Sequence, residues 1–327
     1  MKSIVVIGYI GKGNIGDEIC AKVLLENLAP HAVCEVLQVA RHPIRELLKM
    51  RRLIRSADAV VFAGGNLLQN RTSNRSLYYY LRIIRLAKRY GVAVFFASSG
   101  IGEVLGGRHR ARTYGVLGGG VRFFGARTTP DAARAMKIRG AEVCVMPDLS
   151  FAISHDILGE PENIFAYIPK SACAVPHEMI EDIKTYTGAR EVILPFFACE
   201  DFRAARIISK RDRANIYSAS DFRGMSALLS KCRFVITERL HGAILALICG
   251  TPAFISRRQE KARALKYEID ERCKALGINS PLFFTDEVAV EKIKELGAKR
   301  SEFKILLDNL RCDTESGLRR LVDIIEH

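Results

Sequence analysis

Tryptophan is absent from the 327-residue chain. No stretch approaches the roughly 20 consecutive apolar residues that a bilayer-spanning helix requires. The apolar start Ile4–Ile7 is too short for the core of a signal peptide, and no small-residue cleavage pattern follows it. A cytoplasmic protein is expected. Nine cysteines stand at positions 20, 34, 144, 173, 199, 232, 249, 273 and 312. Their number is odd and no pair is spaced C-x-x-C, which disfavours disulfides and zinc and favours buried free thiols in a reducing compartment. Cys249 has no histidine near it in an activating pattern, so neither a metal nor a thiol nucleophile is expected. Carboxylates are also in deficit, with 36 Asp and Glu against 50 Lys and Arg and a net charge of +14. A field of that sign attracts polyanions, acidic lipids, or small phosphates and carboxylates.

What is present reads as two successive α/β halves. Strands are read at Ile4–Ile7, a continuous β-branched run, and at Cys34–Val39, Ala59–Ala63, Ala93–Ala97, Val121–Ala126 and Glu142–Val145, alternating with helical patterns near 43–55, 74–90, 109–118 and 129–139. Strands without alternation are buried on both faces, as in a parallel doubly wound sheet. A polar stretch from His155 to Asn163 reads as a linker. The same grammar then restarts, with strands near 164–168, 191–194, 215–217, 234–237 and 253–256. The expected division is residues 1–155, 156–300 and a helical tail 301–327 that packs back on the first domain. Two such domains would face each other across a cleft at the carboxyl ends of their strands.

Four loops at strand ends are chemically unusual. Gly11-Lys12-Gly13-Asn14-Ile15-Gly16-Asp17-Glu18 precedes a helix whose free N–H groups suit an anion or a sugar oxygen. We read its spacing as departing from both the dinucleotide and the nucleotide-triphosphate fingerprints, so nucleotide binding of those kinds is not expected. Asp17 and Glu18 are either helix N-terminal carboxylates or a catalytic base. Gly64-Gly65-Asn66 with Gln69, Asn70 and Ser73 offers neutral hydrogen-bonding groups fit for a sugar. Arg127 ends an apolar strand, so its guanidinium should emerge at the cleft rim as a fork for a carboxylate or phosphate, a structural ion pair being the alternative. Thr237-Glu238-Arg239-Leu240-His241-Gly242 places an arginine and a histidine in the first turn of a helix, where the dipole favours an anion. Arg257, Arg258 and Lys261 follow the next strand and complete an expected anion cage.

These residues together resemble the polysaccharide pyruvyl transferase family. The resemblance rests on Gly13-Asn14-Ile15-Gly16-Asp17-Glu18, on Gly64-Gly65-Asn66 with Gln69-Asn70 and Thr72-Ser73, on Arg127, on Arg239-Leu240-His241-Gly242, and on Lys261. It spans about residues 5 to 265. Three positions depart from the family pattern: Asn66 replaces a third glycine, Asn70 an aspartate, and Thr128 the aspartate after Arg127. The resemblance implies a glycosyltransferase-B-like fold of two Rossmann-like domains. It also implies transfer of a pyruvyl group from phosphoenolpyruvate to sugar hydroxyls, free or lipid-linked, with release of phosphate and no cofactor. On that reading His241 contacts the phosphate or acts as general acid, since imidazole titrates near neutral pH. Asp17 is the candidate base. Arg239, Arg127, Lys261 and Leu240 are on the donor side, and Gly13, Asn14, Gly64, Gly65, Asn66 and Gln69 on the substrate loops.

The segment from Arg41 to Arg55 reads as a basic amphipathic helix, either lying on an anionic membrane or packed on the core with a solvated basic face. Two rivals to the transferase reading stand. One is a nucleotide-sugar glycosyltransferase of the same fold. The other is a non-catalytic anion-binding protein; a nucleic-acid partner is not expected, because Tyr78-Tyr79-Tyr80 alone would supply stacking aromatics.

Overall fold

The structure, a computed structural model, describes the chain apart from residues 38–42, 72, 103, 154–159, 173–174, 219–220, 288–292 and 294–299, and apart from the side chains of 43–46, 198–199, 287 and 300–301. Part of the expected linker, Arg41, Thr72 and the side chain of Arg45 therefore lie outside the described residues. Two compact units emerge from the contacts. The first comprises Met1–Lys12, Asp17–Ile153 and Leu310–His327; the second comprises Gly13–Gly16 and Ser154–Asn309.

The first unit holds six parallel strands in the order β2-β1-β3-β4-β5-β6: β1 (Lys2–Ile7), β2 (Ala32–Leu37), β3 (Ala59–Ala63), β4 (Ala93–Ser99), β5 (Val121–Ala126) and β6 (Glu142–Val145). They alternate with α1 (Ile15–Leu28), α2 (Pro43–Ser56), α3 (Asn74–Arg89), α4 (Gly107–Leu117) and α5 (Thr129–Ala135). β3 is buried along its whole length, as its unbroken apolar run requires when helices cover both faces. On one face Phe62, Phe96 and Phe124 stack across three neighbouring strands at ring distances of 4.6 and 4.8 Å. Each such buried ring contributes roughly 1.5–3 kcal/mol. The other face is covered by α1 and by Leu318, Leu321, Val322 and Ile325 of the C-terminal helix α11 (Arg300–Glu326). Gly317 permits that approach, since a β-carbon there would stand 2.7 Å from Met146 Cγ.

The second unit repeats the design with six parallel strands in the order β12-β11-β10-β7-β8-β9: β7 (Ile164–Ile168), β8 (Arg190–Ile193), β9 (Asn215–Ile216), β10 (Phe234–Thr237), β11 (Ala253–Ile255) and β12 (Leu282–Phe284). Its helices are α6 (His177–Thr187), α7 (Ala198–Asp212), α8 (Phe222–Leu229), α9 (Leu240–Ile248) and α10 (Glu260–Leu276). Phe165 and Phe234 stack at 5.1 Å in its core.

Strand order fixes where each sheet can bind a ligand. In the first sheet the chain leaves β1 toward β2 and then turns back to β3. In the second it runs outward from β7 to β9 and returns to β10 on the other side of β7. The loops after β1 and β3, and those after β7 and β10, therefore diverge and leave a crevice at the carboxyl ends of the strands. The glycine loops at 8–14 and 64–65 and the Arg239–Gly242 turn stand at these two switch points.

Candidate active-site loops

In the second unit, β10 ends at the buried Thr237, whose hydroxyl accepts from Arg239 N (2.9 Å) and donates to Arg239 O (3.0 Å). This closed turn sets Arg239 as the extended residue before α9. Gly242 brings the helix onto the sheet: a β-carbon there would lie 2.3 Å from Thr237 Oγ1 and 3.0 Å from Ile168 Cδ1. Every residue of α9 is buried except His241, which is half-buried. An otherwise apolar helix thus presents one imidazole from its first turn, at the end where the open N–H groups stand.

The Gly-Asn loop is joined to this turn. Asn14 bridges Phe197, and Ile15 N donates to Phe196 O. Gly16 lies directly against His241, where a β-carbon would come 2.0 Å from Cγ and 2.1 Å from Nδ1. The fingerprint reading needs correction here. Gly11, Gly13 and Gly16 do fall at dinucleotide spacing, but β1 ends at Ile7, four residues before Gly11, whereas the dinucleotide fingerprint begins directly after its strand. The last glycine makes room for an imidazole.

Arg239 does not stand open as a simple anion fork. Its Nε donates to both oxygens of Asp201 (3.1 and 3.2 Å), and its Nη2 to Asp201 and to Glu200 (2.9 Å). Its Nη1 makes no hydrogen bond among the described residues. Burial alone would lower the guanidinium pKa, but the two carboxylates outweigh it and the net shift is upward. Asp201, fully buried, also accepts from Phe196 N (3.1 Å) and Phe197 N (2.9 Å). One carboxylate therefore ties the start of α7, the Phe196-Phe197 segment and Arg239 together. The sequence reading missed Glu200, Asp201, Phe196 and Phe197. Their signal was an acidic pair in the first turn of a helix, which reads equally as plain dipole compensation.

Glu238 is a clamp between the two switch-point loops. Its Oε2 accepts from Lys170 N (2.7 Å) and Ser171 N (2.8 Å) after β7. Gln259 Nε2 reaches Glu238 O at 2.7 Å, so the loop after β11 is tied to the same turn. Lys261 stands exposed in the first turn of α10. Arg257 turns away from the expected cage, pairing with Asp286 (3.2 Å) and covering the Phe284 ring at 4.2 Å.

In the first unit, Gly64 and Gly65 adopt φ of 61° and 77°, a region open chiefly to glycine. Gly64 N donates to Ala97 O and Gly65 O accepts from Gly100 N, which stitches this loop to the end of β4. Glu18 Oε1 accepts from Gly11 N (2.7 Å) and Lys12 N (3.0 Å), so it closes the loop after β1. Asp17, half-buried in the same turn, stands as the candidate base.

Arg127 corrects a second expectation. It does not emerge at a rim; it is 6% exposed, with Nη2 donating to Asn66 Oδ1 at 2.6 Å and Nη1 3.7 Å from Asp148. Asn66 fits because residue 100 is glycine, where a β-carbon would fall 1.9 Å from Asn66 Oδ1; Gly102 similarly clears Gln69 Cβ at 2.8 Å. Asn70 clasps Leu105 from both sides, accepting from its N–H (2.7 Å) and donating to its carbonyl (3.2 Å). The segment Ser98–Gly102 escaped the sequence reading altogether. Ser98 sits buried at φ 50°, a conformation costing about 1–3 kcal/mol that recurs at functional sites.

Burial shifts other acidic and thiol groups of the chain. Burial raises the Asp131 carboxyl from its ordinary value, against the opposing pull of Arg127, Thr128 and Arg134. Burial and then the Asp148 charge push the Cys20 thiol up, which leaves it a poor nucleophile. The described cysteines are all free, as expected, although Cys312 is exposed.

Known structures share this architecture at low identity. The S. aureus MnaA–UDP structure aligns at TM-score 0.61 and 13% identity, covering all of this chain and 96% of that one. A putative UDP-N-acetylglucosamine 2-epimerase from Listeria monocytogenes aligns at 0.60 and 11%, covering 98% and 95%. An alpha-glucosyltransferase in complex with UDP and a mismatched DNA 13-mer aligns at 0.54 and 14%, covering both chains fully. Two parallel-sheet α/β units of the glycosyltransferase-B kind are thereby shown. No curated protein sequence is a significant match. The family profile described as polysaccharide pyruvyl transferase matches residues 14–258, from the Gly-Asn loop to just past β11, and the chain belongs to that family.

Proposed function

We propose that the protein transfers the pyruvyl group of phosphoenolpyruvate to two hydroxyls of a cell-surface polysaccharide sugar or its lipid-linked precursor. The product is a cyclic ketal, with phosphate released. The observation that supports this most is His241, held against Gly16 at the start of α9 beside the carboxylate-anchored Arg239. In the reaction the enol carbon gains a proton and becomes a methyl group. One hydroxyl oxygen bonds to the central carbon, phosphate leaves with the electron pair of its C–O bond, and the second hydroxyl closes the ring. The two hydroxyl protons balance those gained by carbon and phosphate, and no redox partner is needed.

In this proposal His241 supplies a proton or binds the phosphate, and Asp17 accepts one from the attacking hydroxyl. Arg239 offers Nη1 to an anionic oxygen while Asp201 and Glu200 fix its plane, and Lys261 adds a second cation. The loops of the first unit, with Asn66 and Gln69, take the sugar, and Arg127 orients Asn66 rather than meeting the donor directly. The reaction is placed in the cytoplasm, at the inner face of the membrane where a lipid-linked acceptor would be met. UDP belongs to those neighbouring proteins; at 11–14% identity the likeness extends to the fold.

The test is phosphate release from phosphoenolpyruvate across a panel of sugar acceptors, with UDP-sugars as controls. Ketal formation with at least one acceptor is expected. His241→Gln is expected to abolish it while the thermal unfolding midpoint stays within a few degrees. Near-normal turnover by that variant would remove His241 from the mechanism.

A further inference from the structure

Between Leu47 and Gly120 the chain carries thirteen Lys and Arg against two carboxylates, Asp58 and Glu103, so this stretch holds most of the +14 charge. Asp58 is engaged elsewhere, accepting from Ser3 N at 2.7 Å. The arginines gather on α2 and α3. One surface hollow is lined by Leu48, Arg51, Arg52, Arg55 and Tyr90. A second, sharing Arg51, is lined by Arg82, Arg85, Leu86 and Arg89. Among the described residues no carboxylate pairs with any of these six arginines. Arg112 of α4, over the Tyr78 ring at 4.8 Å, adds to the field. Burial, and next the charge of Arg112, lower Arg85 from its ordinary value.

A solvated basic face is ordinarily laced with acids at i,i+4 spacing. Among the described residues of this face such pairs are missing, so the repulsion between these arginines favours an anion supplied from outside. The apolar side of α2 cannot supply the contact, because Met50 and Ile54 are 3% and 0% exposed and belong to the core. This corrects the picture of an amphipathic helix lying in a bilayer: the outward side of α2 is the basic one. Leu48 is the exception, an aliphatic side chain 60% exposed at the edge of the first arginine-lined hollow. Clustered arginines with one apolar tip among them match a phospholipid surface, where phosphates meet the guanidinium forks and the leucine reaches the acyl boundary. The aromatics of this face, Tyr90 in the first hollow and Tyr78 beneath Arg112, are half-buried and do not form the run of exposed rings on which successive bases of single-stranded nucleic acid stack.

We propose that the arginine-lined face of α2 and α3 is a landing surface for anionic phospholipid headgroups. The test is flotation of the full chain with vesicles of phosphatidylcholine alone or mixed with phosphatidylglycerol, at low and raised salt. Partition is expected only with the anionic vesicles and is expected to weaken with salt. Removing one arginine should lower partition about five-fold, and Arg51→Ser/Arg52→Ser/Arg55→Ser together on the order of a hundredfold. An equal loss of charge on the second unit, Arg203→Ser/Lys210→Ser/Lys274→Ser, should have far less effect. Equal partition onto neutral vesicles, or an unchanged triple α2 variant, overturns the proposal. So does duplex DNA that displaces the protein from anionic vesicles through the same three arginines, since the face would then serve nucleic acid. Partition is read without turnover, so this surface and the transferase reading stand or fall separately.

Discussion

His241 depends on the absence of a side chain elsewhere. Gly16 sits where a β-carbon would overlap the imidazole at 2.0 Å, so the spacing of the Gly-Asn loop and the Arg-Leu-His-Gly turn are one constraint expressed at two distant points of the chain. Gly16→Ala must therefore push the ring aside. Such overpacking costs about 1–3 kcal/mol, and a displacement near 1 Å costs on the order of a hundredfold in rate. The expected result is a large fall in kcat with a modest fall in the unfolding midpoint. In a His241→Gly background, which removes the β-carbon at 2.5 Å as well as the ring, the same glycine substitution should cost almost no stability; a double-mutant cycle of denaturation midpoints checks this coupling.

At the scale of elements, most strands were legible because parallel strands buried on both faces leave unbroken apolar runs, as at Ala59–Ala63 and Phe234–Thr237. β12 was not, since Leu282-Phe283-Phe284 is only three residues long and sits at a sheet edge. The loops were legible by their glycines, but side-chain destinations were not. Arg127 looked exposed because it ends a strand, yet Asn66 and Asp148 hold it inside. Asp201 was invisible because its partners, Phe196 N, Phe197 N and Arg239, meet only after α7 is docked beside β10. Asp201→Ala would leave a largely buried guanidinium with Glu200 alone, and two backbone N–H groups without their acceptor, and is expected to destabilise the protein by about 3 kcal/mol. Asp201→Asn keeps an accepting oxygen for the two N–H groups and should cost about half as much. Urea titrations of both variants read the difference. An Ala variant as stable as the parent would show that Asp201 does not anchor Arg239.

For the whole molecule, stability carries a pH dependence from a group remote from the proposed chemistry. Glu191 is buried, with Lys184 Nζ 3.1 Å from Oε2 but no aligned hydrogen bond to either oxygen. Burial raises its carboxyl to about 7 despite the pull of Lys184. The folded state thus holds this proton more tightly than the unfolded state, whose value is the ordinary 4.5. The contribution is complete below pH 4.5 and is lost as pH rises through 7, by up to about 3 kcal/mol. Glu191→Gln should flatten that slope in denaturation curves taken across this interval, and an unchanged slope would assign it to other groups.

The same whole-molecule view separates two uses of positive charge. Among the described residues the arginines of α2 and α3 pair with no carboxylate, whereas at the end of β10 Arg239 is braced by two. Bracing fixes one guanidinium in place at a sheet's switch point, which is what a donor bearing a phosphate and a carboxylate requires. The measurement that tests this most directly is release of inorganic phosphate from phosphoenolpyruvate on incubation with sugar acceptors, with the product examined for a pyruvyl ketal. The account predicts acceptor-dependent phosphate and ketal in equal amounts, lost in His241→Gln. Turnover of a UDP-sugar, with phosphoenolpyruvate left intact under every acceptor, would contradict it.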